Sequence, residues 1–313
     1  MKLIFAGTPD VAVPSLSSLA STEHSIAAVI TRADAPLGRK RVLTPSPVAA
    51  AAENLGLFVL KTNRLDEDAT ETIAALQPDL GVIVAYGGIV REPLLSVPRL
   101  GWINLHFSLL PRWRGASPVQ RAVIAGDDEI GAAVFQLVRE LDAGAVFGSF
   151  SRPLDAHATS GMLLDSLSHS GGELLLRVVD DLGNGTAQAT EQTGEVTLAP
   201  KLTIDDAHVD WNQSAAAVYN LIRGVTPEPG AFTTVNGARL KILDVAPVVP
   251  SADGDDFSDP PISAGHILQQ ERTVLVGTRT TPLELRRVQP AGKKAMTAND
   301  WWRGVAADEV VAS

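Results

Sequence analysis

The chain has 313 residues, of which 45% are hydrophobic and 20% charged, so it is long enough for two domains and can bury a sizeable core. It contains no cysteine, which excludes a disulfide framework, a zinc ribbon and a thiol nucleophile. The formal net charge of −10 argues against a protein whose whole surface binds nucleic acid, although a local basic patch stays compatible with it.

The N-terminal residues predict a buried strand rather than a targeting segment. Residues 2–9 form an apolar run that turns at Gly7, and residues 11–19 carry helical spacing of apolar residues after Asp10, a candidate N-cap. The start is too short and strand-like for a signal peptide, and no apolar run approaches the roughly 20 residues of a membrane span. We therefore expect a soluble, cytoplasmic protein. The G-x-G-x-x-G sequence is missing, which disfavours a dinucleotide site.

A basic segment follows the second predicted strand, residues 26–30. Residues 31–47 contain three prolines, one glycine and four basic residues against one acidic residue. This composition predicts a long exposed loop, and loops of such length are commonly functional or disordered. On charge alone, a solvated loop without a binding function explains this segment equally well.

The next elements alternate between helix and strand. Helices are predicted at residues 48–56 and 66–76, and strands at residues 57–60, 80–86 and 101–106. This alternation is typical of α/β proteins. The first domain is therefore predicted to be Rossmann-like, with a mostly parallel sheet and helices on both faces.

Polar side chains appear at the end of the strand at residues 101–106, where a buried strand should remain apolar. Asn104 and His106 are two residues apart and so share one face of the strand. Burying an amide and an imidazole together is costly unless each is hydrogen-bonded. The loop that follows contains Pro111 and Gly115 and lies at a strand end, a usual ligand position in an open α/β sheet. A hydrogen-bonded core histidine followed by a turn is the alternative interpretation.

A third polar residue, Asp142, follows the strand predicted at residues 132–138, so all three are expected at strand ends of one sheet. A carboxylate near His106 would orient the imidazole and raise its pKa, while Asn104 would donate to an oxygen that becomes negative. The three side chains suit direct acyl transfer to an amine. The chain has neither a G-x-S-x-G serine elbow nor metal-ligand spacing, which disfavours an acyl-enzyme and a metal hydrolase.

The pattern changes after the long helix predicted at residues 160–182. We predict a catalytic domain at residues 1–183, a linker at residues 184–205 and a C-terminal domain at residues 206–313. Short strands dominate the last domain, with Asn236-Gly237 as a hairpin turn between two of them. The expected fold there is a smaller β-barrel, similar to the OB folds that bind oligonucleotides.

The central segment resembles the signature of one enzyme family. The motif is Asn104-x-His106-x-Ser108-Leu109-Leu110-Pro111-x-x-Arg114-Gly115, with Asp142 before Gly144, and it is similar to that of the 10-formyltetrahydrofolate-dependent formyltransferases. The likeness covers nearly the whole chain, from Phe5-Ala6-Gly7-Thr8-Pro9 to Pro229-Gly230-Ala231. The basic segment and the barrel-like second domain resemble the branch of this family that acts on tRNA.

The resemblance implies a reaction and its residues. The formyl group of 10-formyltetrahydrofolate, a co-substrate, would pass without a metal to the α-amine of methionyl initiator tRNA, through a tetrahedral intermediate and for translation initiation. The catalytic residues it implies are Asn104, His106 and Asp142. The residues implied along the folate are Ser108, Leu109, Leu110 and Pro111. Those implied at the acceptor end of the tRNA are Arg39, Lys40 and Arg41.

Two positions depart from the family pattern. Ile204 replaces a frequent second lysine, and Glu228 replaces a tryptophan between prolines. A sugar-amine formyltransferase is the nearest alternative, because such enzymes can also carry a second domain, whereas enzymes acting on a small ribonucleotide amine resemble the first domain alone. A non-catalytic tRNA-binding module is disfavoured by the intact catalytic residues. No separate assembly element is visible, so we expect a monomer.

Overall fold

The computed structural model describes residues 1–38, 40–248, 262–305 and 307–313. The chain divides into two compact units. The first comprises Met1–Pro118, Glu129–Pro153 and Leu164–Pro200, and the second Val119–Asp128, Leu154–Leu163 and Lys201–Ser313. The domain boundaries at residues 183 and 205 stay predictions. No helix within the described ranges is both long and apolar enough to cross a membrane.

The elements as far as residue 200 alternate between strand and helix. The strands are β1 (Lys2–Gly7), β2 (Ser25–Thr31), β3 (Ala35–Leu37), β4 (Val42–Thr44), β5 (Val59–Lys61), β6 (Leu80–Val84), β7 (Trp102–His106), β8 (Arg114–Gly115), β9 (Glu129–Gln136), β10 (Val146–Pro153) and β11 (Leu198–Ala199). The helices are α1 (Val13–Ala20), α2 (Pro47–Asn54), α3 (Glu67–Ala75), α4 (Pro118–Ala125) and α5 (Ser160–Asn184).

The first unit contains a seven-stranded sheet in the order β10-β9-β7-β6-β1-β2-β5. The strands from β7 to β5 pair in parallel, and β9 and β10 are antiparallel. The strand β6 is buried along its whole length, as expected for a parallel strand covered on both faces. Ile73 of α3 joins the core on one face, and Gly171 of α5 lies close to Leu105 on the other. The predicted Rossmann-like architecture is confirmed.

Helix starts follow local side-chain chemistry. Ser46 and Asp66 accept hydrogen bonds from backbone N–H groups at the first turns of α2 and α3, at 3.0 and 3.1 Å. The prediction that Asp10 caps a helix is wrong: Asp10 begins a short 3-10 turn, and α1 starts at Val13 without a side-chain cap. Pro14 then occupies the first turn of α1, where the missing N–H group costs nothing.

The second unit is built on an antiparallel sheet. Its later helices are α6 (Ala215–Gly224) and α7 (Ala298–Trp302), and its strands are β12 (Phe232–Val235), β13 (Ala238–Pro247), β14 (His266–Gln270), β15 (Thr273–Val276), β16 (Leu283–Pro290), β17 (Met296–Thr297) and β18 (Glu309–Val311). The main strand order is β12-β13-β16-β15-β14-β18. Thr234 in β12 exchanges backbone hydrogen bonds of 2.8 and 2.9 Å with Ser313, just beyond β18. The two edges of the sheet therefore meet, and the predicted smaller barrel is confirmed.

The hairpin between β12 and β13 also matches its prediction. Asn236 and Gly237 have φ angles of +51° and +74°. Two successive left-handed residues are the requirement of the tight turn that joins twisted antiparallel strands, and Asn-Gly meets it with little strain.

Candidate active site

His106 is the last residue of β7 and is buried. Its Nε2 atom lies 2.9 Å from the backbone oxygen of Trp113. Because a carbonyl oxygen can only accept a hydrogen bond, Nε2 carries the proton, and Nδ1 of the neutral ring presents a lone pair. Burial lowers the pKa of His106, and the Asp142 carboxylate and the Trp113 carbonyl oppose this effect in part. The buried ring is therefore neutral at pH 7 and has Nδ1 as its basic atom.

Asp142 lies on the Nδ1 side of this ring. Its Oδ2 atom is 3.9 Å from His106 Nδ1 and accepts a 2.8 Å hydrogen bond from the backbone N–H of Gly115. Asp142 is buried and has a φ of +45°, a left-handed conformation in which aspartate is enriched. Gly115 has a φ of +129°, and a Cβ atom there would lie 2.6 Å from the Ala199 oxygen. Glycine is thus required beside the carboxylate.

Asp142 does not reach His106 in the way that the sequence predicts. We expected the two residues to meet because their strands end at the same edge of the sheet. Because β9 runs antiparallel to β7, Gln136 at the end of β9 pairs with Ile103 near the start of β7. The loop of residues 137–145 must therefore fold back along β7 to bring the carboxylate to His106. The structure brings the two predicted residues together, but through a loop conformation rather than through sheet topology.

Asn104 precedes His106 by two residues in β7, so both side chains emerge on one face of the sheet. Asn104 is half-buried, whereas its neighbours Ile103 and Leu105 are buried. Its side chain makes no hydrogen bond to any other described residue, whereas the side chains of His106 and Asp142 are both hydrogen-bonded. An amide that is held on a strand and has no hydrogen-bond partner among the described residues is available to a bound substrate.

The loop after β7 is held by its own polar groups. Ser108 is buried, and its hydroxyl donates a 2.6 Å hydrogen bond to the Arg112 oxygen. Leu109 and Leu110 line a cavity of about 310 Å³ whose other walls come from β9, β10 and residues 190–193. Pro111 is buried at the end of this apolar stretch. Of the residues predicted along the folate, the two leucines are therefore the accessible ones.

The basic segment predicted as a long loop contains a short antiparallel hairpin. Strand β3 pairs with β4, from Ala35 opposite Thr44 to Leu37 opposite Val42. Lys40 and Arg41 are exposed in the turn between them, and Arg39 lies outside the described residues. Leu37 and Leu43 are 67% and 68% exposed. The hairpin thus presents basic and apolar side chains together to solvent.

Residues 190–200, predicted as part of a linker, contact both loops of the site. Thr197 accepts a 2.9 Å hydrogen bond from the backbone N–H of Trp113, and β11 pairs with β8 in parallel. Gln192 bonds to the backbone oxygens of Asp142 and Gly144 and to the side chain of Arg114. Its partners lie 78, 50 and 48 positions away in the chain, and sequence reasoning missed it because no local pattern signals so distant a contact.

Metal ligands are not grouped in the described part of the chain: no three His, Asp or Glu side chains there are placed so as to hold an ion.

Both halves of the chain match known sequence families. Residues 1–179 match the family described as formyl transferase, and residues 201–306 match the formyl transferase C-terminal domain. Fold and site thus define a formyl transferase with both of its domains. The chain is 58% identical over 312 residues to the methionyl-tRNA formyltransferase of Clavibacter sepedonicus, covering 100% of both chains. It is 57% identical to that of Leifsonia xyli subsp. xyli, covering 99% of this chain and 100% of the relative. The chain therefore belongs to the methionyl-tRNA formyltransferase family.

Solved structures share the fold at low sequence identity. The N-formyltransferase from Helicobacter canadensis, in complex with folinic acid and dTDP-3-aminofucose, has a TM-score of 0.68 at 16% identity, covering 93% of this chain and 99% of its own. A methionyl-tRNA formyltransferase from Clostridium thermocellum has a TM-score of 0.56 at 14% identity, covering 79% of this chain and 94% of its own. These likenesses concern the fold alone.

Proposed function

We propose that this protein transfers the formyl group of 10-formyltetrahydrofolate to the α-amine of methionyl initiator tRNA, giving formylmethionyl-tRNA for translation initiation. The observation that carries the proposal is the meeting of buried His106 with Asp142, two residues along the strand from Asn104, whose amide makes no hydrogen bond to the described residues. The chain in which they meet is 58% identical over its full length to a methionyl-tRNA formyltransferase. Translation takes place in the cytoplasm, so we place the protein there. We propose that it acts as a monomer, because all three side chains come from one compact unit of one chain.

The proposed reaction is a direct attack without an acyl-enzyme. The neutral α-amine attacks the formyl carbon, and an electron pair of the C=O bond moves onto oxygen, to which the Asn104 amide donates. Nδ1 of His106 takes the proton that the amine loses, and Asp142 stabilises the resulting imidazolium. The same proton then passes to N10 of the folate as the C–N10 bond breaks. The products are formylated amine, tetrahydrofolate and a neutral His106.

The donor site is proposed along Ser108, Leu109, Leu110 and Pro111. The Ser108 hydroxyl holds the loop through the Arg112 oxygen, which leaves the leucine side chains as apolar surface for a flat ring.

The acceptor end of the tRNA is proposed to meet the β3–β4 hairpin. Lys40 and Arg41 are exposed there and can approach phosphates, and the proposal includes Arg39 on the strength of its sequence position. Since the chain carries a net charge of −10, such a contact would be local rather than spread over the surface.

A sugar amine is the second candidate acceptor. Its support is the shared fold with an N-formyltransferase whose complex contains dTDP-3-aminofucose. A likeness of 16% identity says less about the acceptor than one of 58% over the full chain, which favours tRNA.

The test is formyl transfer by the purified chain from 10-formyltetrahydrofolate, comparing Met-charged initiator tRNA with Met-charged elongator tRNA. We expect transfer to the initiator and far slower transfer to the elongator. Equal transfer to both would overturn the acceptor specificity. No transfer to either tRNA, with transfer to a dTDP-amino sugar, would overturn the tRNA proposal in favour of the sugar reaction.

A further inference from the structure

Gln192 uses every hydrogen-bonding group of its side chain to join the two loops of the candidate site. Nε2 donates to the backbone oxygens of Asp142 and Gly144, both at 2.8 Å. Oε1 accepts from Nε and Nη2 of Arg114, at 3.2 and 2.6 Å. A side-chain amide has two N–H donors and an oxygen with two lone pairs, so its capacity is filled.

The two loops joined in this way hold His106 between them. One loop supplies the Trp113 oxygen that fixes Nε2 of His106, and the Gly115 N–H that fixes the Asp142 carboxylate. The other loop carries Asp142 itself. Gln192 therefore ties the backbone of Asp142 to Arg114, which lies between Trp113 and Gly115 in the chain.

The segment that carries Gln192 is itself fixed on both sides. Thr190 and Val146 exchange backbone hydrogen bonds of 2.8 and 2.9 Å, and the Thr197 oxygen accepts from the Arg114 N–H at 2.9 Å. Farther along, the Ala199 oxygen accepts from the Ser117 N–H at 3.1 Å. The Gln192 amide thus lies on a segment that backbone hydrogen bonds hold in place on both sides.

The conformation at Asp142 needs such support. Asp142 and Trp113 both have left-handed backbones, with φ of +45° and +62°. Non-glycine residues in this region carry local strain and persist where surrounding bonds determine them. Glutamine is the residue type with suitable length that offers donors to two carbonyl oxygens and an acceptor to a guanidinium at once.

We propose that Gln192 is a positioning residue of the formyl transfer reaction: it sets the placement of the Asp142 carboxylate relative to His106 Nδ1 by fixing the backbones of the two loops. The inference rests on the proposed function. A displaced loop would carry the carboxylate away from the imidazole, which would weaken both the stabilisation of the protonated ring and the rate of proton transfer.

The test uses Gln192→Met in the full chain, which keeps the side-chain length and removes all four polar contacts. Gln188→Met, at an exposed glutamine of the neighbouring stretch, is the matched control. We expect kcat to fall roughly 10- to 100-fold in Gln192→Met with KM for both substrates within about two-fold, as for a small misplacement of reacting groups. The acid-side midpoint of the kcat–pH curve should move to lower pH, because a more distant carboxylate raises the pKa of His106 less.

A second variant keeps the test decisive if Gln192→Met fails to fold. Gln192→Glu retains the acceptor for Arg114 but loses both donors to the carbonyl oxygens of the Asp142 loop, so it should also lower kcat. Unchanged kcat and pH midpoint in a folded Gln192 variant would overturn the inference. A lower kcat with an unmoved midpoint in Gln192→Met would also overturn it, since that result assigns a structural role only. Absence of transfer by the wild type and by Gln188→Met would instead contradict the proposed function.

Discussion

At the scale of single residues, the site depends on which polar groups have protein partners and which do not. His106 has Trp113 on one nitrogen and Asp142 near the other, whereas the side chain of Asn104 on the same strand makes no hydrogen bond to the described residues. The side chain of His106 therefore affects stability as well as catalysis, whereas that of Asn104 affects catalysis. His106 couples protonation to folding, and Asn104 is free to serve a substrate.

Replacing Asn104 with alanine should separate catalysis from stability. We expect Asn104→Ala to lower kcat about 10²–10³-fold, the usual cost of losing one donor to a developing oxyanion. The free energy of unfolding should change by less than about 0.5 kcal/mol, because the amide makes no hydrogen bond to the described part of the folded chain. Asn54→Ala, at an exposed position in α2, is the control and should alter neither property. An unchanged kcat in Asn104→Ala would remove this residue from the mechanism.

His106 should make stability depend on pH in a defined direction. Burial lowers its pKa in the folded state, so near and below the ordinary histidine value of about 6.5 the unfolded chain binds more protons. This residue's contribution is therefore fully present above about pH 6.5 and is lost as the pH falls towards the folded pKa. The slope is at most about 1.4 kcal/mol per pH unit.

The measurement is urea unfolding from about pH 5 to about pH 8 for the wild type and His106→Gln, which removes the titrating group. The unfolding free energy of the wild type, relative to the variant, should rise with pH and level off near neutrality. The exposed His169→Gln serves as control. A difference that falls with rising pH would mean that the buried ring is charged in the folded protein.

At the scale of elements, we expect the β3–β4 hairpin to contribute to tRNA binding and the barrel core to contribute to stability. Changing Lys40 and Arg41 to glutamate should raise KM for the tRNA and flatten its dependence on salt, because each lost phosphate contact lowers the salt slope by about one. Donor affinity should stay the same. Arg177→Glu, a single charge reversal at an exposed position of α5, is the control. A salt slope that is identical in the hairpin variant and the wild type would exclude the hairpin from tRNA binding.

The barrel strands provide a stability test independent of activity. Ile267 in β14 is 0% exposed, and its replacement by alanine should lower the free energy of unfolding by about 2–5 kcal/mol through lost burial and a cavity. Val311 in the adjacent β18 is 52% exposed, so Val311→Ala should cost less than about 0.5 kcal/mol. Denaturant unfolding of both variants measures this difference. Equal effects would contradict the placement of Ile267 in the barrel core.

Elements with strong local signals were predictable from the sequence, and those made by distant contacts were not. The Asn236-Gly237 hairpin has a local signal, and so do the buried run of β6 and the paired polar residues of β7. By contrast, a run of apolar residues does not reveal strand direction, so the antiparallel pairing of β9 was not foreseen. Gln192 had no signal because its partners are brought to it by the fold.

At the scale of the whole molecule, the charge distribution matches a local interaction with nucleic acid. The chain carries a net charge of −10, yet its basic hairpin is exposed, and its catalytic candidates lie in the same compact unit. A negatively charged chain repels polyanions in general, and the exposed hairpin is the local basic contact that we propose for the tRNA. This arrangement is consistent with an enzyme that binds the end of one tRNA rather than coating its length.

We propose that this chain formylates methionyl initiator tRNA and that His106 takes part in the reaction. The most direct measurement is a single-turnover reaction with ¹³C-formyl-labelled donor, followed by mass spectrometry of the released methionine, for the wild type and His106→Ala. We expect labelled formylmethionine from the wild type and a rate about 10²–10⁴-fold lower from the folded variant, with donor affinity retained. Equal rates for the two proteins would contradict the role of His106, and no label from the wild type would contradict the reaction itself.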